Sequence, residues 1–160
     1  MKIDYGHLCL RAETPTDLDF LSELYASTRE AELTSFGWPQ AQLDSFLQQQ
    51  FQAQTAQYSA SYPDASLYII EYNGDAMGRL YLAHLQGETR LIDIALLPNY
   101  QNLGIGEHLI KALLDEARTT GLPVRLHVEQ LNPALHLYQR LGFQICEERG
   151  VYLFMEYLPE

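Results

Sequence analysis

The residues with the clearest chemical meaning are Gln101-Asn102-Leu103-Gly104-Ile105-Gly106, between a strand-like run ending near Leu97 and a helical run starting near Gly104. A helix start carries unpaired backbone N–H groups and the positive end of the helix dipole. Glycines there let an anion approach without meeting a Cβ, so the segment is a candidate phosphate cradle. A nucleotide P-loop is excluded, because Gly-Lys-Ser/Thr does not follow the second glycine. A dinucleotide fingerprint fits poorly, since Leu109 stands where a third small residue belongs and the preceding strands read as antiparallel. Two glycines that merely tighten a strand-to-helix turn are the alternative, and spacing alone leaves both readings open.

Other chemistries find less support. The histidines His7, His84, His108, His127 and His136 are scattered without zinc spacing, so no metal is expected. Cys9 and Cys146 lie far apart in apolar company and are expected to be reduced core thiols. A formal charge of −11 without a basic stripe disfavours nucleic acid and draws cationic partners instead. No run reaches the roughly 18 to 20 apolar residues of a membrane span. Met1 to Pro15 lacks the apolar centre of a secretory signal, so the expectation is a cytoplasmic protein without membrane contact.

These groups need a scaffold, and 160 residues with 47% apolar content suit one continuous domain, 1–160. His7 to Ala12 reads as a strand, and Thr14-Pro15-Thr16-Asp17 opens a helix expected to reach about Arg29. Leu43, Phe46, Leu47 and Phe51 mark a second helix from Pro39, ending before Pro63, with glutamines on its other face. Leu67 to Tyr72 and Ala76 to Ala83 flank Asn73-Gly74, a type I′ hairpin signal, and Arg90 to Leu97 completes a meander. Ile105, Leu109, Leu113 and Ala117, widened by Ile110 and Leu114, make a third helix that Gly121 stops. Val124 to Gln130, a short helix capped by Asn132-Pro133, and two strands around Arg149-Gly150 follow. The order is β-α-α-β-β-β-α-β-α-β-β, a mixed α/β sheet with helices on its faces.

Two motifs now carry a resemblance. Leu91 to Gly106, with Gln101, Gly104 and Gly106 in its fixed places, looks like the acyl-CoA motif Arg/Gln-X-X-Gly-X-Gly/Ala of the GNAT superfamily of N-acetyltransferases. Asn132-Pro-Ala-Leu-His-Leu-Tyr138-Gln-Arg-Leu-Gly-Phe143 is similar to a second segment of that family. The likeness spans roughly Leu67 to Tyr157. It implies a GNAT-like fold whose fourth and fifth strands splay apart to admit the thioester of acetyl-CoA. Amides of Asn102, Leu103, Gly104, Ile105 and Gly106, with Gln101, would hold the pyrophosphate. Backbone groups of Ile94, Ala95 and Leu96 would meet the pantetheine arm, and Asn132 would lie along it.

The implied activity is acyl transfer to an amine. It needs a neutral nitrogen, a donor for the carbonyl oxygen and a proton for the departing thiolate. Tyr138 resembles the family's general acid. The oxyanion donor is expected on the fourth strand near Ile94 or Ala95, at a bulge. Asp93, inside an apolar strand, is the first candidate base, against the alternative that it pairs with Arg79 or Arg125; Glu129 and Glu71 are further candidates. Arg29, Glu30 and Trp38 are the candidate acceptor-binding residues; a solvated Arg29–Glu32 helix end and a Trp38 that packs beside Phe36 are the alternatives. Acceptors range from a small-molecule amine to a protein amine, with a homodimer in view, and a non-catalytic acyl-CoA sensor on the same fold is the second function class.

Overall fold

The computed structural model describes residues 3–160, apart from the side chain of residue 31. Residues 1 and 2 of the expected unit, and Ala31 of the Arg29–Glu32 cluster beyond its backbone, therefore lie outside the described residues. A seven-stranded sheet runs in the order β1-β2-β3-β4-β5-β7-β6. Its strands are β1 (Leu8–Ala12), β2 (Ser66–Tyr72), β3 (Asp75–Leu85), β4 (Glu88–Leu96), β5 (Val124–Glu129), β6 (Gln144–Arg149) and β7 (Tyr152–Tyr157). The helices are α1 (Leu18–Thr34), α2 (Gln40–Ser61), α3 (Ile105–Thr120) and α4 (Ala134–Arg140), so the element order follows the sequence reading. Only β4 and β5 run parallel, with α3 as the crossover between them.

Side-chain alternation along the strands divides the interior in two. Ile70, Leu80, Leu82 and Leu91 join Ile105, Ile110, Leu113 and Leu114 of α3, together with Tyr138 and Phe143 beside α4. On the other face, Ile69 meets Leu21, Tyr25 and Leu33 of α1 and Leu43, Leu47 and Phe51 of α2. Asn73 and Gly74 both have positive φ, 52° and 84°, as the hairpin signal requires. Gly78 is required by close approach: a Cβ there would lie 2.2 Å from the Ala95 carbonyl oxygen.

Two expectations need correction. Helix α1 continues past Arg29 to Thr34, because buried Leu33 reaches the same apolar cluster as Leu21 and Tyr25. Arg29–Glu32 is thus a stretch inside the helix and not its end. Cys9 and Cys146 are exposed free thiols, not core residues. They sit on β1 and β6, the two edge strands, where one flank of the strand has no neighbour.

Candidate active site

The central pair β4 and β5 is in register only at Thr89↔Val124, Arg90↔Arg125 and Leu91↔Leu126. Beyond Leu91 the two strands part, as the resemblance implied. The cause is visible on β3: Tyr81 faces Asp93 while the next residue, Leu82, faces Leu91, so Ile92 is one residue too many. Such a bulge bends its strand, and past it β4 stays paired with β3 through Leu96 while it leaves β5. It falls at Ile92, two residues before the position expected for it.

Past the bulge, β4 presents an open edge. Leu97 N–H donates to the Met77 carbonyl at 2.8 Å. Backbone groups alternate sides along a strand, so Ala95 also turns toward β3, while Ile94 and Leu96 turn toward the gap. The three residues, grouped together from the motif, are therefore not equivalent. The Leu96 carbonyl also accepts Gln101 Nε2 at 2.9 Å, so the Gln101 side chain braces the loop against the strand end instead of pointing into the cradle.

A turn at Pro98–Tyr100 leads from β4 into the loop. Asn102 and Gly104 both take positive φ, 60° and 86°. The positive φ is what favours glycine at Gly104; a Cβ there would also come within 2.8 Å of the Tyr5 hydroxyl, which would have to shift aside. A Cβ on Gly106 would meet nothing within 4 Å. Space is thus open beside the first-turn N–H groups of α3, where an anion gains most from them, and the loop fits a pyrophosphate. The chain's beginning closes over this loop: the Tyr5 ring stacks on His108 at 4.0 Å and its hydroxyl donates to the Gly104 carbonyl at 3.3 Å. Sequence reasoning missed Tyr5, which no local pattern ties to a loop nearly one hundred positions away.

Tyr138 is buried at 7% exposure, edge-on to Phe143 with ring centroids 5.6 Å apart. Burial, and then the negative charge of Asp93, hold its phenol well above the ordinary value, so it stays protonated at neutral pH. Asp93 itself pairs with Arg79, whose Nε donates to Oδ2 at 2.8 Å and whose Nη2 donates to the same oxygen. Oδ1 takes no side-chain hydrogen bond among the described residues. Arg79 is 4% exposed and also donates to Gln54 Oε1 at 2.7 Å.

The remaining candidates separate. Glu129 is exposed at the end of β5, opposite Tyr152 on β7. Glu71 is bound to Arg11 at 2.8 Å. Asn132 accepts Ala134 N–H at 2.9 Å and so caps α4. Arg29 donates to the Tyr25 hydroxyl at 3.1 Å and pairs with Glu32 at 3.4 Å, while Glu30 is exposed. Trp38 is wedged between Phe36 and Phe46, with centroids 5.9 and 5.2 Å away. Packing thus accounts for Trp38. Desolvation, and then the charges of Arg90 and Arg149, hold the His127 imidazole below its ordinary pKa.

A cavity of about 210 Å³ lies between α2 and the sheet, bordered by Glu13, Tyr58, Tyr62, Tyr81 and Ile92 among others. It abuts the bulge, and none of Arg29, Glu30 or Trp38 lines it. A larger hollow of about 310 Å³ between α1 and α2, over Asp19, Glu23 and Asp44, borders none of the residues at the strand gap. The tyrosines were missed, although Thr55, Tyr58, Ser59 and Tyr62 have the i, i+3, i+4, i+7 spacing of one helix face.

The acetyltransferase (GNAT) family profile matches residues 20–143. The ribosomal protein bS18-alanine N-acetyltransferase of Haemophilus influenzae is 32% identical over 88 residues, 54% of this chain and 60% of that protein. Streptothricin acetyltransferase of Streptomyces lavendulae is 35% identical over 78 residues, 46% of this chain and 41% of that one. The chain thus spans less than two thirds of the length of either relative. In fold, the crystal structure of the PaiA N-acetyltransferase of Thermoplasma acidophilum in complex with coenzyme A matches with a TM-score of 0.70 at 17% identity, covering 94% of this chain and 98% of that one.

Proposed function

Since the chain belongs to the acetyltransferase (GNAT) family, we propose that it moves an acyl group from acetyl-CoA to an amine at the gap between β4 and β5. The observation that carries this reading is the conjunction of an open cradle at Gly106 with an unpaired edge of β4 leading from it. The coenzyme, when bound, supplies the activated acyl group as a thioester. The first-turn amides of α3 and those of Asn102 to Gly104 hold its pyrophosphate, and the open backbone groups of Ile94, with the Leu96 N–H, hold its arm.

The chain's own residues then divide the proton work. Ile94 N–H, turned toward the gap, is the donor for the acyl oxygen. Tyr138, kept protonated by burial, donates to the leaving sulfur. Asp93 Oδ1, the carboxylate oxygen that Arg79 leaves open, accepts the proton of the amine, with Glu129 as the second candidate. Among the described residues no three His, Cys, Asp or Glu side chains gather into a metal site. No helix among the described residues is long and apolar enough to cross a membrane.

One observation favours the second reading, a non-catalytic acyl-CoA sensor: the first-choice base is already committed to Arg79. Calorimetric titration with acetyl-CoA and with desulfo-CoA, followed by an amine screen, separates the two. Micromolar binding with turnover that fails in Tyr138→Phe supports the enzyme, and binding without turnover on any amine supports the sensor. Absence of coenzyme binding overturns both.

A further inference from the structure

The cavity against the bulge has a direction. Its floor takes one residue from each of four neighbouring strands or their ends: Ile92 on β4, Tyr81 on β3, Leu67 on β2 and Glu13 just after β1. Glu13 and Ile92 mark its ends, and the Glu13 carboxylate reaches back to the Tyr81 hydroxyl, on the strand next to β4. The roof is the C-terminal part of α2, with Thr55, Tyr58 and, past the helix end, Tyr62. A volume of about 210 Å³ spread along that span suits an unbranched chain better than a ring system.

Charge distinguishes the two ends. Glu13 is the one lining residue with a charged side chain. It accepts a hydrogen bond from the Tyr81 hydroxyl, and no cation pairs with it among the described residues. The nearby guanidinium of Arg79, lying 4.7 Å from the Tyr81 ring centroid, is already neutralised by Asp93. A half-buried carboxylate without a counter-ion, in a cavity that Tyr58, Tyr62 and Tyr81 also line, attracts a cation by charge, and a free ring face adds to that attraction.

We propose that this cavity binds the non-reacting end of a linear aliphatic acceptor that carries a second cationic group, with Glu13 and the rings of Tyr58, Tyr62 and Tyr81 holding that cation while the reacting amine lies at Ile92 and Asp93. The acceptor class is therefore the α,ω-diamines and their homologues, and the inference rests on the transferase reading above. A charge-assisted contact of this kind is expected to favour the diamine by about tenfold or more in kcat/KM.

The test compares diaminopentane with aminopentane as acceptors, in the wild type, Glu13→Gln and Tyr81→Phe, with saturation-transfer NMR of each amine as a readout independent of turnover. The expected result is a preference for diaminopentane, expressed in KM, that collapses toward equality in Glu13→Gln and survives in Tyr81→Phe, where the carboxylate remains. Thermal melts of both variants show that they fold. Equal use of the two amines, or a preference that Glu13→Gln leaves intact, overturns the assignment while the transferase reading stands. Failure of diaminopentane to bind also overturns it, and the coenzyme titration run alongside then shows whether the transferase reading falls too.

Discussion

The two candidate sites, on opposite sides of the sheet, would hold their ligands by different means. On the α3 side, the candidate coenzyme site is made of backbone: first-turn amides, two positive-φ residues and the open edge of β4. On the α2 side, the candidate acceptor site is made of side chains drawn from α2, from β2, β3 and β4, and from the residue just after β1. Backbone recognition is insensitive to most substitutions but cannot survive a bulky side chain at the approach. Side-chain recognition has the opposite profile: each residue tunes the site and none is demanded by chain geometry.

Breaking the backbone side has the largest expected effect. Gly106→Trp fills space that is otherwise empty, without touching the φ or the Tyr5 contact that constrain Gly104. Coenzyme affinity should fall by about two orders of magnitude or more, while the thermal midpoint stays level or rises, since a helical glycine costs about 0.5–1 kcal/mol relative to alanine. Loss of binding together with a lowered midpoint would mean that Gly106 is structural and not a cradle.

Next in size is the group where the two sides meet. Tyr138→Phe should lower kcat by about a hundredfold or more, the ordinary worth of a placed general acid, and leave coenzyme affinity within a few-fold. A variant as fast as wild type would assign the proton to another donor. Asp93→Asn sharpens the contrast differently, because it strips the counter-ion from a guanidinium that is 4% exposed. It should cost roughly 3 kcal/mol in chemical denaturation as well as activity. Lost activity at unchanged stability would show that Asp93 serves chemistry alone.

The smallest effect lies at the foot of α1. Arg11 donates to both carboxylate oxygens of Asp17, at 2.8 and 2.7 Å, and holds its pKa down to about 2 from the ordinary 3.8. A depressed folded-state value contributes stability above the unfolded value and loses it as pH falls through the folded one. Thermal midpoints should therefore drop between about pH 4 and pH 2, and Asp17→Asn should flatten that part of the profile. An unchanged slope would place the acid sensitivity in another carboxylate.

Legibility followed the same division. The glycine loop, the Asn73-Gly74 turn, the Gly121 stop and the apolar stripe of α3 are short-range patterns, and their spacing in the chain is already their spacing in space. Asp93 was weighed as base or as partner of Arg79, and its pairing became visible only once β3 lay beside β4. No local pattern ties Glu13, Tyr58 and Tyr81 together; the register of four strands beneath α2 brings them to one cavity. The cysteines misled for a related reason: apolar neighbours in sequence do not distinguish a central strand from an edge strand.

The stack of Tyr5 on His108 has a practical meaning. Whatever stiffens the glycine loop must also stiffen the turn that clasps it, so amide exchange from Gly6 to Leu8 becomes a gauge of loop occupancy read at the other end of the chain.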